Sequence, residues 1–160
     1  QGFQPVCGFN FGAHKYDRVT RGFHFCVRSS SLILLALAVL GFAFAPQIIA
    51  VFRGDDAEVI RIGALTLRLQ CISFPITGFV VMSNMLLQNI AMTLRASIVA
   101  AARQGLFFVP FALILPHFFG LTGVQLCQAA SDLCAFILSI CVTVPVVQRL
   151  SEGKNPHDAI

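Results

Sequence analysis

The stretch Ser31–Phe52 reads SLILLALAVLGFAFAPQIIAVF and contains no charged residue. At 1.5 Å per residue its roughly 22 residues reach about 33 Å as a helix, enough to cross a hydrocarbon core of about 30 Å. Backbone inside lipid must satisfy its own hydrogen bonds, so the run predicts a membrane-spanning helix. A second uncharged run, Leu69–Leu94, is longer and can tilt. From Gln104 the chain stays apolar almost to Val147, interrupted only by Asp132, which is too long for one helix. Pro116, His117, Gly120 and Gly123 supply the turn that divides it, since Pro and Gly punctuate helices. The expected spans are therefore about 31–52, 69–94, 96–115 and 121–147. Pro46, Pro75, Pro110 and Pro116 fall within or at the ends of these spans, where transmembrane helices tolerate them as kinks. Gln1–Phe11 is uncharged but too short to cross, and is either the end of a further helix or a disordered stub.

Composition agrees with this reading. Of 160 residues, 57% are hydrophobic and 11% charged, with a mean hydropathy of +0.82. Soluble domains carry roughly 45–50% apolar and about 25% charged residues. The excess excludes a disordered tail, a nucleic-acid-binding domain and an ordinary soluble enzyme domain, and makes the lipid bilayer the first partner. The basic stretch His14–Arg28 is interleaved with Tyr16, Phe23 and Phe25, and reads as a loop against anionic lipid heads rather than an RNA contact. The fold class is an all-α membrane bundle of four spans, with residues 1–148 as the bundle and 149–160 as a tail. Cys71, Cys127, Cys134 and Cys141 lie inside apolar runs and no CxxC pair exists, so the six cysteines read as free thiols and a metal site has no support.

Basic residues fix an expected orientation. Lys15, Arg18, Arg21, Arg28, Arg95, Arg103, Arg149 and Lys154 fall on one side of the bundle. Arg53, Arg61 and Arg68 fall on the other, accompanied by Asp55, Asp56 and Glu58. The richer side is expected in the cytoplasm, with the carboxy-terminus.

Polar groups inside a bilayer are costly, so each is a candidate for function. Asp132 is the one acidic residue well inside a span. At about 100° per residue, Gln125, Gln128, Asp132, Ser139 and Thr143 share one helical face, while Cys127, Cys134 and Cys141 recur on the opposite one. Asp132 is either a proton- or cation-carrying carboxylate, or a carboxylate that pins neighbouring helices by hydrogen bonds. The cysteine row reads as small residues for helix packing. In the second complete span, Asn84 and Gln88 can line a substrate path or hydrogen-bond across helices. Arg68 and Arg103, near span ends, read as snorkelling to the interface. No histidine is given a catalytic role, and no HExxH, GxSxG or P-loop is present, so no enzyme is expected.

Gln1–Val19, QGFQPVCGFNFGAHKYDRV, resembles a phrase typical of the multidrug and toxic compound extrusion (MATE) transporters, GxQPxxGFNxGAxxYxRV. The matching positions are Gln4, Pro5, Gly8, Phe9, Asn10, Gly12, Ala13, Tyr16, Arg18 and Val19. Further matches are Arg68, Pro75 with Gly78, Arg103-Gln104-Gly105 followed by Pro110, Leu115-Pro116, Gly120-Leu121-Thr122-Gly123 and Asp132. The family phrase Gln-Ala-Ile-Gly stands here as Gln88-Asn89-Ile90-Ala91. The resemblance, to the C-terminal half of such a transporter, implies a twelve-helix antiporter of two six-helix halves in the plasma membrane. It implies export of small cationic amphipathic drugs in exchange for Na⁺ or H⁺, with no further cofactor. It makes Gln1–Phe11 the end of a fifth helix, adds Gln4 to the substrate or ion pathway, and implies an N-terminal half upstream of Gln1. Two alternatives are a lipid-linked oligosaccharide flippase of related architecture and a non-transporting membrane scaffold.

Single-cysteine labelling in whole cells checks the orientation. An impermeant reagent is expected to label position 56 and spare position 18; the reverse pattern refutes the assignment.

Overall fold

The computed structural model describes residues 2–52 and 57–156, and the regular elements among them are all helical. They are α1 (Phe3–Gly12), α2 (Tyr16–Ala43), α3 (Ala45–Phe52), α4 (Ala57–Asn89), α5 (Thr93–Ala101), a π turn (Ala102–Leu106) and α6 (Phe108–Ser151). Arg53, Asp55, Asp56 and residues 157–160 of the tail lie outside the described residues.

Three helices are long and apolar enough to cross a membrane: Tyr16–Ala43, Ala57–Asn89 and the Thr122–Ser151 arm of α6. A fourth pass is composite, made of α5, the π turn and the Phe108–Gly120 arm of α6. Large apolar side chains such as Leu32, Val39, Leu113 and Phe118 stay exposed, as expected of surfaces that face hydrocarbon. Lipid removes most of the hydrophobic drive between helices, leaving close packing and polar contacts to hold the bundle. The packed core lies toward the end of the bundle where α1 meets α2 and α4 meets α5. There Phe3, Cys7, Val19, Leu86, Ile90, Val99 and Leu150 are buried together. A relay of rings ties four helices: Phe3 to Phe23 at 6.4 Å, Phe23 to Phe79 at 6.2 Å, and Phe79 to Phe136 at 5.5 Å.

Three sequence expectations are corrected in detail. His14–Arg28 is not a loop, because α2 already begins at Tyr16. Its charges lie along the first turns of the helix, with Asp17 and Arg21 paired at i, i+4 and 3.5 Å. The run Ser31–Phe52 is likewise not one helix, since α2 stops at Ala43 and α3 starts at Ala45. Pro46 has no N–H to give the carbonyl four residues back, Phe42 O, which instead accepts from Arg68 Nε at 3.4 Å. Third, the turn between the last two spans falls at Gly120, while Pro116 and His117 remain helical. Gly120 has φ 56° and ψ −130°, open only to a residue without a Cβ. The reversal presses Gly123 onto Leu115, so that a Cβ at 123 would overlap the Leu115 carbonyl.

Three helix ends share one cap. A residue with positive φ follows the helix, and the next N–H reaches five residues back: Lys15 to Asn10 O (2.9 Å), Met92 to Leu87 O (2.9 Å) and Lys154 to Arg149 O (3.0 Å). The left-handed residues are His14 (φ 55°), Ala91 (φ 59°) and Gly153 (φ 70°). Only the last carries the residue this conformation favours. Ala91, where the family phrase has Gly, bears the steric cost of its Cβ.

Ala91→Gly is therefore expected to stabilise the bundle by about 1 kcal/mol, because it relieves that clash without touching a buried contact. Thermal unfolding in detergent checks this; an unchanged or lowered midpoint refutes it.

Candidate functional site

The Thr122–Ser151 arm of α6 turns its polar stripe inward. Gln125, Asp132, Ser139 and Thr143 are buried and Gln128 is half-buried. Asp132 is about ten residues from the start of this arm, or roughly 15 Å along its axis, a depth at which an unpartnered carboxylate is expensive. It has three partners. Arg103 Nε donates to Oδ1 at 3.1 Å, Gln128 Nε2 to Oδ1 at 3.3 Å, and Ser73 Oγ lies 3.3 Å from Oδ2. The carboxylate thus joins α4, the π turn and α6. Farther along the stripe, Ser139 Oγ and Thr143 Oγ1 are buried without a partner.

Arg103 reaches inward because it sits on the π turn rather than on a regular helix. The wider turn bonds Phe107 N to Ala102 O at 3.1 Å, and Ser131 Oγ donates to the Arg103 carbonyl at 3.0 Å. The arginine and the α6 stripe are therefore joined twice, once through each end of residue 103. The snorkelling expected for Arg103 is overturned: its side chain is 31% exposed and tied to a carboxylate that is 6% exposed. A buried charge draws the nearest counter-charge more strongly than the interface does.

On the other side of Arg103 lies a cavity of about 220 Å³ lined by Gln4, Asn84, Gln88, Val99, Ala100 and Arg103. Its amides come from α1 and α4, and Gln88 Nε2 donates to Asn84 Oδ1 at 3.2 Å, one helical turn apart. The six sequence candidates therefore fall into three groups. Gln4, Asn84 and Gln88 share the cavity. Asp132 and Gln128 share the ion-pair cluster behind its wall. Gln125 lies farther along α6, donating from Nε2 to Ile62 O at 3.3 Å. Arg103 touches the first two groups; the sequence reading placed it at the interface rather than in the site, and gave no site role to Ser73 or Ser131. One signal was available, the single acid of a long apolar run calling for a counter-charge on the neighbouring pass. The cysteine row varies along its length: Cys127 is buried with Sγ 2.9 Å from Val124 O, whereas Cys141 is exposed. Among the described residues, no three His, Cys, Asp or Glu side chains gather where they could hold a metal.

Residues 1–114 match the family model MatE. The chain belongs to the MatE family. A solved structure described as the inward-facing conformation of a multidrug resistance MATE family transporter of the MOP superfamily superposes with a TM-score of 0.85 at 21% identity. The match covers 94% of this chain and 35% of that one, so the chain spans about a third of the transporter it resembles. The likeness establishes the fold, an all-α bundle shared with part of that structure. No curated protein matches the chain. Asp132 lies beyond the residues of the family match, so its role has to be argued from its contacts.

Removing one partner of a buried pair leaves the other charge uncompensated. Asp132→Asn and Arg103→Gln are each expected to cost about 2–4 kcal/mol, the lower values reflecting the partial exposure of Arg103. The double variant should cost less than the sum by about 1–2 kcal/mol, measured as a double-mutant cycle of thermal unfolding. Simple additivity would show that the contact has no energetic weight.

Proposed function

We propose that the chain builds most of one lobe of a cation-coupled antiporter that exports small cationic amphipathic molecules, and that the Gln4–Asn84–Gln88 cavity is this lobe's part of the substrate path. The observation that carries this reading is the convergence of three neutral amides from two helices on one cavity whose wall is an ion-paired arginine. Amides donate and accept without a net charge of their own, so they can hold varied polar groups while Val99 and Ala100 meet apolar parts. Neutrality also suits release, because a cation held by a full carboxylate would leave slowly.

The ion pair supplies a candidate for coupling. Asp132 serves either Arg103 or an incoming H⁺ or Na⁺. When the cation takes the carboxylate, Arg103 loses its partner and the cavity wall it forms is free to rearrange. Loading by cation and loading by substrate would then bias the same element, as alternating access requires. Membrane insertion with the Lys- and Arg-rich side in the cytoplasm completes the proposal.

Transport by the full-length protein in proteoliposomes tests it. Asn84→Leu and Gln88→Leu are expected to raise the drug KM about fivefold to tenfold, the cost of roughly one hydrogen bond each, with unfolding midpoints unchanged. Cys134→Ala should be nearly silent. Asp132→Asn, with rates normalised to folded protein, should lose the dependence of efflux on the cation gradient. An unaltered KM in both amide variants refutes the substrate path. Unaltered gradient dependence in Asp132→Asn returns that carboxylate to a purely structural role.

A further inference from the structure

Two cavities follow one another along the seam between α2 and the carboxy-terminal end of α6, and their linings differ in kind. The inner one, of about 290 Å³, is walled by Phe23 and Val27 of α2, Phe79 of α4, and Val144 and Val147 of α6. Thr20, His24, Gln148 and Ser151 line it nearer the end of the bundle. The outer one, of about 510 Å³, is lined by Lys15, Arg18 and Arg21, by the acid Asp17, and by Gly153 just past α6. Neither shares a residue with the amide cavity. The register of α2 sets the order. Thr20, Phe23 and Val27 recur at spacings of three and four along the inner cavity, while Lys15, Arg18 and Arg21 recur at three along the outer one. Thr20 and Arg21 adjoin in the chain, so the basic part begins where the apolar part ends. On the facing helix the apolar run stops at Val147 and Gln148 and Arg149 follow, so the seam crosses the edge of the hydrocarbon at this level.

The positive charge of the outer cavity is available to a ligand. Asp17 is already paired with Arg21 at 3.5 Å, and no ion pair among the described residues engages Lys15 or Arg18, whose side chains are exposed. The occupant that fits therefore has an apolar stem directed into the membrane and an anionic group at its outer end. A soluble anion would leave the phenylalanine and valine walls uncovered, and a cationic amphiphile would bring its charge against Lys15 and Arg18. We propose that this seam binds an anionic phospholipid, with one acyl chain in the inner cavity and its phosphate on Arg21 and Arg18. Guanidinium groups grip a phosphate with paired N–H donors, and Lys15 adds a point charge beyond them. Side chains on α2 lean toward its amino-terminus, which carries both guanidinium groups outward, to the headgroup layer. The exposed Gln148 has amide hydrogens to offer an ester carbonyl between chain and phosphate. A choline headgroup adds a cation among these cations, so the site separates anionic from zwitterionic lipids by charge.

The test uses the purified full-length protein, stripped of lipid and returned to phosphatidylcholine nanodiscs doped with phosphatidylglycerol. Retained lipid is counted by native mass spectrometry. Phosphatidylglycerol is expected to be retained at least about tenfold over phosphatidylcholine, the worth of one hydrogen bond between charged groups. The double variant Lys15→Gln/Arg18→Gln should abolish that preference, whereas Arg61→Gln, on an exposed part of α4 at the other end of the bundle, should keep it. Val144→Trp fills the inner cavity from α6 and should weaken phosphatidylglycerol retention about tenfold with every charge in place. Millimolar glycerophosphoglycerol, the same headgroup without chains, should not displace the lipid. This arm and the comparison of the two lipids need no variant to fold. Equal retention of the two lipids overturns the proposal, and so does a preference that survives the double variant or is lost in Arg61→Gln. Unaltered retention in Val144→Trp overturns it as well, because only a charged surface would then be at work. Displacement by the soluble headgroup or by inorganic phosphate overturns it too, since the outer cavity would then serve a free anion.

Discussion

A carboxylate held deep in an apolar bundle has to be given partners, and Asp132 draws them from three elements. Ser73 reaches it from α4, Gln128 from its own helix one turn back, and Arg103 from the π turn. Apolar surface alone does not choose which helix faces meet inside lipid, because hydrocarbon solvates a leucine as well as a neighbouring helix does. The polar stripe of α6 makes that choice here. Once Asp132 faces inward, Gln125, Ser139 and Thr143 follow it by helical periodicity, and the lipid-facing side is left to residues such as Leu133 and Ile137.

The same economy governs the irregular backbone. Non-helical backbone survives at membrane depth only where something else meets its polar groups. Phe42 O, deprived of a donor by Pro46, takes one from Arg68. Arg103 O, on the π turn, takes one from Ser131. Each side chain comes from a neighbouring pass, so local irregularities become ties between helices. The bundle is therefore held by a few polar ties at defined places, with the ring relay from Phe3 to Phe136 filling the space between them.

The helical class and the number of passes were legible in the sequence because lipid imposes a length and a polarity that composition alone can report. Helix ends were less so. The charges from Lys15 to Arg28 look like a loop because charge marks the edge of the apolar run, but a helix can continue past that edge, as α2 does. Among Pro116, His117, Gly120 and Gly123, only the backbone angles single out Gly120 as the reversal. The inward stripe of α6 could be read from its period, whereas its partners could not. Arg103 and Asp132 are 29 residues apart, and nothing local says that a π turn will aim one at the other. Gln4 is farther still from Asn84 and Gln88, and it meets them only once α1 packs against α4.

Arg68 and Arg103 make the point in one comparison. Both stand near the end of an apolar run, and by composition both should reach for the interface. Arg68 does stay near its end of the bundle, where a carbonyl and an aromatic ring suffice as partners. Arg103 has a carboxylate within reach and turns to it. The consequence is mechanical as well as electrostatic. Arg103 lines the amide cavity with one part of its side chain while Nε is committed to Asp132, and its carbonyl is held by Ser131 from the same stretch of α6. Any shift of α6 along the π turn must therefore either break these contacts or carry the cavity wall with it. Packed interfaces of this kind respond by moving between discrete arrangements rather than by gradual deformation. A cavity whose wall is anchored to the neighbouring pass in this way changes shape when that pass moves, without needing a flexible loop of its own.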